Sequence, residues 1–181
     1  MELKDRRVVI TGASSGAGRA IAVELARHGC KLALAARRED ALKNIMEECA
    51  SLGSEVFYLP VDVKDANDHQ QLAQETIRHL GRIDVWINNA GVLAAGAFDE
   101  IPSEVNEDVV RTNLLGYIHG AHAVLPHFKQ QGYGVLINNI SVGGWFPTPF
   151  MSAYCASNNR LLKIGICLKS NCRYTWLCFC I

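Results

Sequence analysis

"TGASSGAG", residues 11–18, decides how this chain is read. It follows the apolar, β-branched run "RRVVI" (residues 6–10) and opens "GAGRAIAVELARHG" (residues 16–29). In the latter, Ile21, Leu25 and the alanines recur at helical spacing before Gly29 offers a stop. A strand that breaks into glycines and then into a helix is the geometry of a phosphate-binding turn. Glycine permits the tight bend and a close backbone approach to a pyrophosphate. The helix start adds unpaired N–H groups and the positive end of its dipole. Gly12, Gly16 and Gly18, with Ser14 and Ser15 between them, are the candidate contacts. A glycine trio alone is also an ordinary turn, and it is the placement between strand and helix that favours the phosphate.

Outward from this turn, strands and helices alternate. Residues 31–36, 55–63, 83–88 and 134–140 are apolar, strand-length runs. Residues 38–52, 65–80 and 103–128 carry helical periodicity, the first two closed by Gly53 and Gly81, and a last helix begins near Ser152. Strands apolar on both faces and separated by helices predict an α/β chain with a doubly wound parallel sheet of the Rossmann type. Such sheets bind ligands at the carboxyl ends of their strands. One domain is expected, residues 1–165, followed by an atypical tail at 166–181.

Composition excludes several classes. With 18 basic and 18 acidic residues the net charge is zero, so neither nucleic acid nor an anionic membrane is an expected partner. "MELKDRRVVITGA" is no secretory signal, and no run approaches a membrane span, so the cytosol is the expected location. Cys155, Cys167, Cys172, Cys178 and Cys180 crowd the C-terminal part without paired zinc-ligand spacing. His119, His122 and His127 share a helix with no carboxylate to complete a ligand set, and no metal site is expected.

The glycine spacing is G-x-x-x-G-x-G, and "TGASSGAG" resembles the cofactor loop of the short-chain dehydrogenase/reductase family. Further landmarks match in order: "VDV" (residues 61–63), "NNAG" (residues 88–91), Asn113, Ser141 and Tyr154. The resemblance runs from Leu3 to about Ser157. It implies that Asp62 and Val63 contact an adenine. It also implies that Asn88, Ala90 and Gly91 support the sheet end and the cofactor ribose. Ser141 would hold a substrate oxygen, Tyr154 would be the acid/base, and Asn113 would support a water relay. A small-molecule carbonyl or alcohol is then the substrate, and a homo-oligomer is plausible by analogy.

The end of the second strand sets the choice of nicotinamide cofactor. An acid there bonds the ribose 2′-hydroxyl of NAD, whereas arginine suits the 2′-phosphate of NADP. The sequence reads "AARRED", with Arg37 and Arg38 after Ala36. Two cations at a helix start oppose the helix dipole, so helix stability does not explain them. NADP is expected over NAD, with Arg37 the first candidate contact.

"YCASNNRLLKIG" (residues 154–165) departs from the family pattern. A free phenol ionises near pH 10, and bringing it to about 7 takes roughly 4 kcal/mol. One positive charge about 4 Å away supplies that at an effective dielectric of ~20. The family places a lysine four residues after the tyrosine, on the same helix face, where it also bonds the nicotinamide ribose. Asn158 stands there instead; it could bond a ribose hydroxyl but has no charge. Lys163 falls on the opposite helix face. Carbonyl reduction is therefore expected to persist weakly and alcohol oxidation to fail. A non-catalytic NADP(H)-binding protein, or an inactive product, is the rival expectation.

"GGWFPTPFM" (residues 143–151) is read as one apolar wall beside the reacting centre. Beyond Ser157 the resemblance stops, and Gly165 is expected to interrupt the helix. The sheet's usual last strands and the substrate loop are expected to be missing. A truncated or frame-shifted product, a sixth strand formed by "RYTWLCFCI", and a membrane- or partner-contacting tail are the three readings of this stretch.

Overall fold

The computed structural model describes residues 2–171 and 175–180, with side chains described up to Leu168. Six parallel strands form one sheet in the order β3-β2-β1-β4-β5-β6. They are β1 (Arg7–Thr11), β2 (Lys31–Ala36), β3 (Val56–Pro60), β4 (Val85–Asn88), β5 (Val135–Ile140) and β6 (Thr175–Cys180). The chain winds outward from β1 to β3 and then crosses to β4. The direction of winding thus reverses between β1 and β4, where a crevice opens at the strands' carboxyl ends.

Strand alternation divides the core in two. Val8, Ile10, Leu32, Leu34, Val85 and Ile87 face α1 (Gly16–Arg27) and α2 (Glu39–Ser51), meeting Ala22, Ala26, Leu42 and Ile45. Val9, Ala33, Ala35, Trp86 and Leu136 face α3 (Ala66–Leu80) and α5 (Gly116–Gln131), meeting Leu72, Val124 and Phe128. α5 comes very close to the sheet at Gly120, where a Cβ would overlap Asn88 Oδ1 and lie 2.8 Å from Trp86 Nε1. Only glycine leaves room for the tryptophan beneath that helix.

The structure departs from the sequence reading at four boundaries. The third strand stops at Pro60, and Val61 and Asp62 lead into a turn at Val63–Lys64, where Asp62 Oδ1 accepts the Lys64 N–H at 3.0 Å. Such short side-chain-to-backbone bonds compete with the strand ladder. The long helix expected over 103–128 is three pieces: α4 (Ser103–Val110), a π-helical turn (Arg111–Leu115) and α5. It also runs on to Gln131, where Gly132 at φ 79° supplies the left-handed cap. α6 (Ser152–Asn171) passes through Gly165 without interruption, held by the buried Leu161 and Leu162. Tertiary packing here outweighs the roughly 1 kcal/mol that glycine costs a helix.

The fourth correction concerns the tail. The sheet does not lack all of its last strands, because residues 175–180 pair in parallel with the whole of β5, from Val135↔Thr175 to Ile140↔Cys180. The sixth-strand reading of "TWLCFC" is the one the backbone adopts. An unpaired β5 edge would leave a row of N–H and C=O groups open, and a short aromatic and apolar segment closes it.

Candidate active site

A cleft of about 650 Å³ opens over the carboxyl ends of the strands, within the usual range for ligand sites. One end is the glycine turn. Gly12 lies at φ 68°, and a Cβ on it would come within 2.7 Å of Ala90 Cα. Gly16, at φ 55°, leads into α1 with open space around it. Gly18 faces inward, where a Cβ would overlap the Gly12 carbonyl oxygen and lie 2.5 Å from Asn89 Nδ2. Gly18 thus lets α1 pack down on the turn rather than touching the cleft. The first turn of α1 carries no acidic side chain, so its positive end faces the cleft uncompensated. Ser14, Ser15 and Gly16 line this end.

Beyond the turn lie Ala36, Arg37, Arg38, Asp62 and Val63. Arg38 Nη2 is 3.5 Å from Ser14 Oγ, and among the described residues neither arginine pairs with a carboxylate. Asp62 is fixed from both sides: its N–H donates to Asp68 Oδ2 at 2.7 Å, and its Oδ2 lies 3.8 Å from Lys64 Nζ. The Val63 carbonyl meets His69 Nε2 at 3.1 Å and His119 Nδ1 at 3.4 Å. Burial pushes the His69 imidazole down to about 4, so the neutral ring donates from Nε2. Its Nδ1 has no partner among the described residues.

At the opposite end Ser141, Tyr154, Asn158, Asn113, Asn139 and Tyr117 converge. Ser141 follows β5 and caps a 3₁₀ turn (Val142–Gly144), its Oγ accepting the Gly143 N–H at 3.2 Å. Its own N–H donates to Asn158 Oδ1 at 3.0 Å, while Asn158 Nδ2 donates to the Tyr154 carbonyl at 2.9 Å. The Tyr154 ring lies over Gly143, where a Cβ would be 3.4 Å from it. Asn113 sits in the π-helical turn and holds the loop after β4, accepting from Val92 N and donating to Val92 O, both at 2.8 Å. π-Helical turns concentrate at functional sites. Tyr117 donates its hydroxyl to the Asn139 carbonyl at 2.8 Å. Burial raises its phenol far above the usual range, with Tyr154 nearby adding to the shift.

The cleft thus brings together every sequence-predicted site residue except Gly18 and Asn88. Asn88 lies below the floor, only 1% exposed, accepting from Trp86 Nε1 at 2.8 Å and donating to Asn138 Oδ1 at 2.9 Å. Asn89 and Asn139 were not anticipated. The visible signal was the repeated doublet "NN" at the ends of two neighbouring strands. The apolar wall expected from residues 143–151 is displaced: Trp145, Phe146 and Phe150 are exposed and do not line the cleft, because their loop turns outward after the 3₁₀ turn. Gly96 N–H on the facing loop donates to the Phe150 carbonyl at 2.9 Å. Val92, Leu93 and Leu161 are among the apolar residues that line it instead. Lys163 is exposed. Among the described residues there is no cluster of metal-ligating side chains and no helix long and apolar enough to cross a membrane.

The short chain dehydrogenase family model matches residues 6–167. The 11-beta-hydroxysteroid dehydrogenase-like 4A protein of Arabidopsis thaliana is 40% identical over 159 residues, covering 86% of this chain and 52% of that protein. Mouse dehydrogenase/reductase SDR family member 7 is 30% identical, covering 99% of this chain and 54% of its own length. The chain therefore spans about half the length of the curated relatives it matches. Among solved structures, a short chain dehydrogenase/reductase from Burkholderia phymatum in complex with NAD superposes at TM-score 0.95 with 31% identity, covering 99% of this chain and 66% of that one. An alcohol dehydrogenase from Thermococcus sibiricus complexed with 5-hydroxy-NADP superposes at TM-score 0.90 with 30% identity, covering 98% of this chain and 77% of that one.

Proposed function

The chain belongs to the short-chain dehydrogenase/reductase family of oxidoreductases, and from that premise we propose that it binds NADP(H) along the cleft and transfers hydride between it and an apolar carbonyl or alcohol. The observation that carries this reading is the convergence, in one cleft, of the glycine turn with Ser141, Tyr154 and Asn158. The turn fits a dinucleotide because Gly16, at φ 55°, leads into α1 with open space around it, so the backbone there is free to approach a pyrophosphate. NADP is preferred because Ala36 stands where an acid would bond the ribose, and two arginines without carboxylate partners among the described residues follow it. Residues 1–165 form the nucleotide-binding unit in this reading, and a cytosolic homo-oligomer is the expected form of the protein.

A bound nicotinamide supplies the hydride. The Ser141 Oγ accepts from Gly143, so its own proton is left to hold a substrate oxygen. The Tyr154 phenol donates a proton to the alkoxide that forms. Asn158, four residues on, contributes no charge, and its amide is largely committed: Oδ1 to Ser141 and one N–H to Tyr154. A single N–H remains for a ribose hydroxyl. Without a cation on that helix face, the site offers nothing to stabilise a phenolate, so proton donation is favoured over proton removal. The chain therefore reduces carbonyls slowly and hardly oxidises alcohols.

Titration with NADPH and NADH, followed by assay in both directions with an apolar ketone and its alcohol, tests this. NADPH should bind at least about tenfold tighter than NADH. The Arg37→Ala/Arg38→Ala variant should lose that preference while keeping its NADH affinity. Binding without turnover in either direction would favour the rival reading, a cofactor-binding protein whose committed asparagine has replaced the active lysine of its family.

A further inference from the structure

Two asparagine doublets stand side by side at the ends of β4 and β5. Asn88 and Asn138 are register partners bonded beneath the sheet. The outer pair points the other way and reaches the cleft: Asn139 Nδ2 donates to Asn89 Oδ1 at 2.9 Å. Asn89 Nδ2 in turn donates to the carbonyls of Thr11 at 3.0 Å and Gly12 at 3.3 Å. The Asn89 N–H bonds Thr11 Oγ1 at 3.0 Å. That Nδ2 lies 3.1 Å from where a Cβ on Gly12 would sit and 2.5 Å from one on Gly18. The Asn89 amide thus fills the space that both glycines leave empty.

An amide can sit either way round. Turned over, Asn89 would aim its carbonyl oxygen at two other carbonyl oxygens. The Asn139 donor reinforces that orientation, because its bond is satisfied with Oδ1 on its own side. Asn139 is itself held, its carbonyl accepting from the Tyr117 hydroxyl at 2.8 Å, and it lies two residues before Ser141. We propose that Asn139 is a positioning residue: it fixes the amide of Asn89, and through it the carbonyls of the glycine turn, so the strand leading to Ser141 sets the grip on the cofactor pyrophosphate. This rests on the NADP(H) reading above.

The test compares two ligands. Adenosine 2′-monophosphate reaches only the end formed by Arg37, Arg38 and Asp62, whereas NADPH spans the turn. Asn139→Leu should raise the Kd for NADPH about tenfold and leave that for adenosine 2′-monophosphate unchanged. Because Asn139 acts through Asn89, the Asn139→Leu/Asn89→Leu double variant should bind NADPH no more weakly than Asn89→Leu alone. Equal weakening of both ligands would show a merely structural role and overturn the proposal, as would unchanged NADPH binding or fully additive losses. If Asn139→Leu fails to fold, Asn139→Asp keeps the shape, withdraws the donor and gives the same comparison. Wild-type protein that binds adenosine 2′-monophosphate but not NADPH overturns the clamp and the pyrophosphate grip together, whereas normal wild-type binding with an indifferent variant overturns the clamp alone.

Discussion

Asn158 is tied to two backbone groups and carries no charge. In the proposed reading a cation is expected at this position; the structure adds that Asn158 holds the Ser141 backbone. Asn158→Lys therefore does two things at once. It brings an ammonium to the helix face of Tyr154, worth about 4 kcal/mol to a phenolate about 4 Å away at an effective dielectric of ~20. It also orphans the Ser141 N–H, at about 1–3 kcal/mol. The charge wins, so alcohol oxidation near neutral pH should rise by about tenfold or more while the thermal midpoint falls. Steady-state rates in both directions, with a melt of the same samples, check this; oxidation that stays at the wild-type level contradicts it. His69 gives a pH dependence. Its folded-state value is depressed from 6.5 to about 4, so the unfolded chain binds the extra proton first as pH falls. Stability should be fully present above about pH 6.5 and decline toward pH 4, by roughly 3 kcal/mol for this group. Denaturant titrations of wild type and His69→Gln at several pH values should show the difference between them shrinking across that window. A difference independent of pH would contradict it.

Glycines decide the close approaches between elements. Strand–glycine–helix order was enough to place the glycine turn between β1 and α1, because an apolar run, a bend and a helical period are local signals. The π-helical turn at Arg111–Leu115 left no such signal: the periodicity of residues 103–128 reads straight through it, and only the cleft shows what it achieves, aiming Asn113 at the Val92 backbone. The outward course of residues 145–150 was equally hidden, since exposed aromatic residues and pocket-lining ones look alike in a sequence. Gly18→Ala and Gly120→Ala separate two roles of glycine. At Gly120 the added methyl meets Asn88 and Trp86 under α5, and should cost about 1–3 kcal/mol of stability with little change in cofactor affinity per folded molecule. At Gly18 it meets the Gly12 carbonyl and the Asn89 amide, and should weaken NADPH binding as well as lowering the midpoint. Calorimetric titration beside thermal melts distinguishes them; equal affinities in the two variants would contradict this division.

Across the whole molecule, alternation of strands and helices made the doubly wound sheet legible, and the order β3-β2-β1-β4-β5-β6 puts its switch point under the cleft. The tail was not legible in the same way. A short apolar segment pairs with whatever edge is open, and that is a property of the assembled sheet rather than of the segment. A chain ending at Asn171 should therefore leave β5 as an open edge, melt lower and aggregate on heating. Light scattering during the melt checks this, and an unaltered midpoint without aggregation would argue that β6 contributes nothing to the sheet. The central claim is that the sheet's carboxyl end holds NADP(H) between the glycine turn and Tyr154. Titrating purified, folded protein with NADPH, and following energy transfer from its tryptophans to the reduced nicotinamide, tests it most directly. The account predicts saturable one-to-one binding that Gly12→Val abolishes. Folded protein that gives no saturable signal with NADPH or NADH, or a Gly12→Val variant that binds as well as wild type, would contradict it.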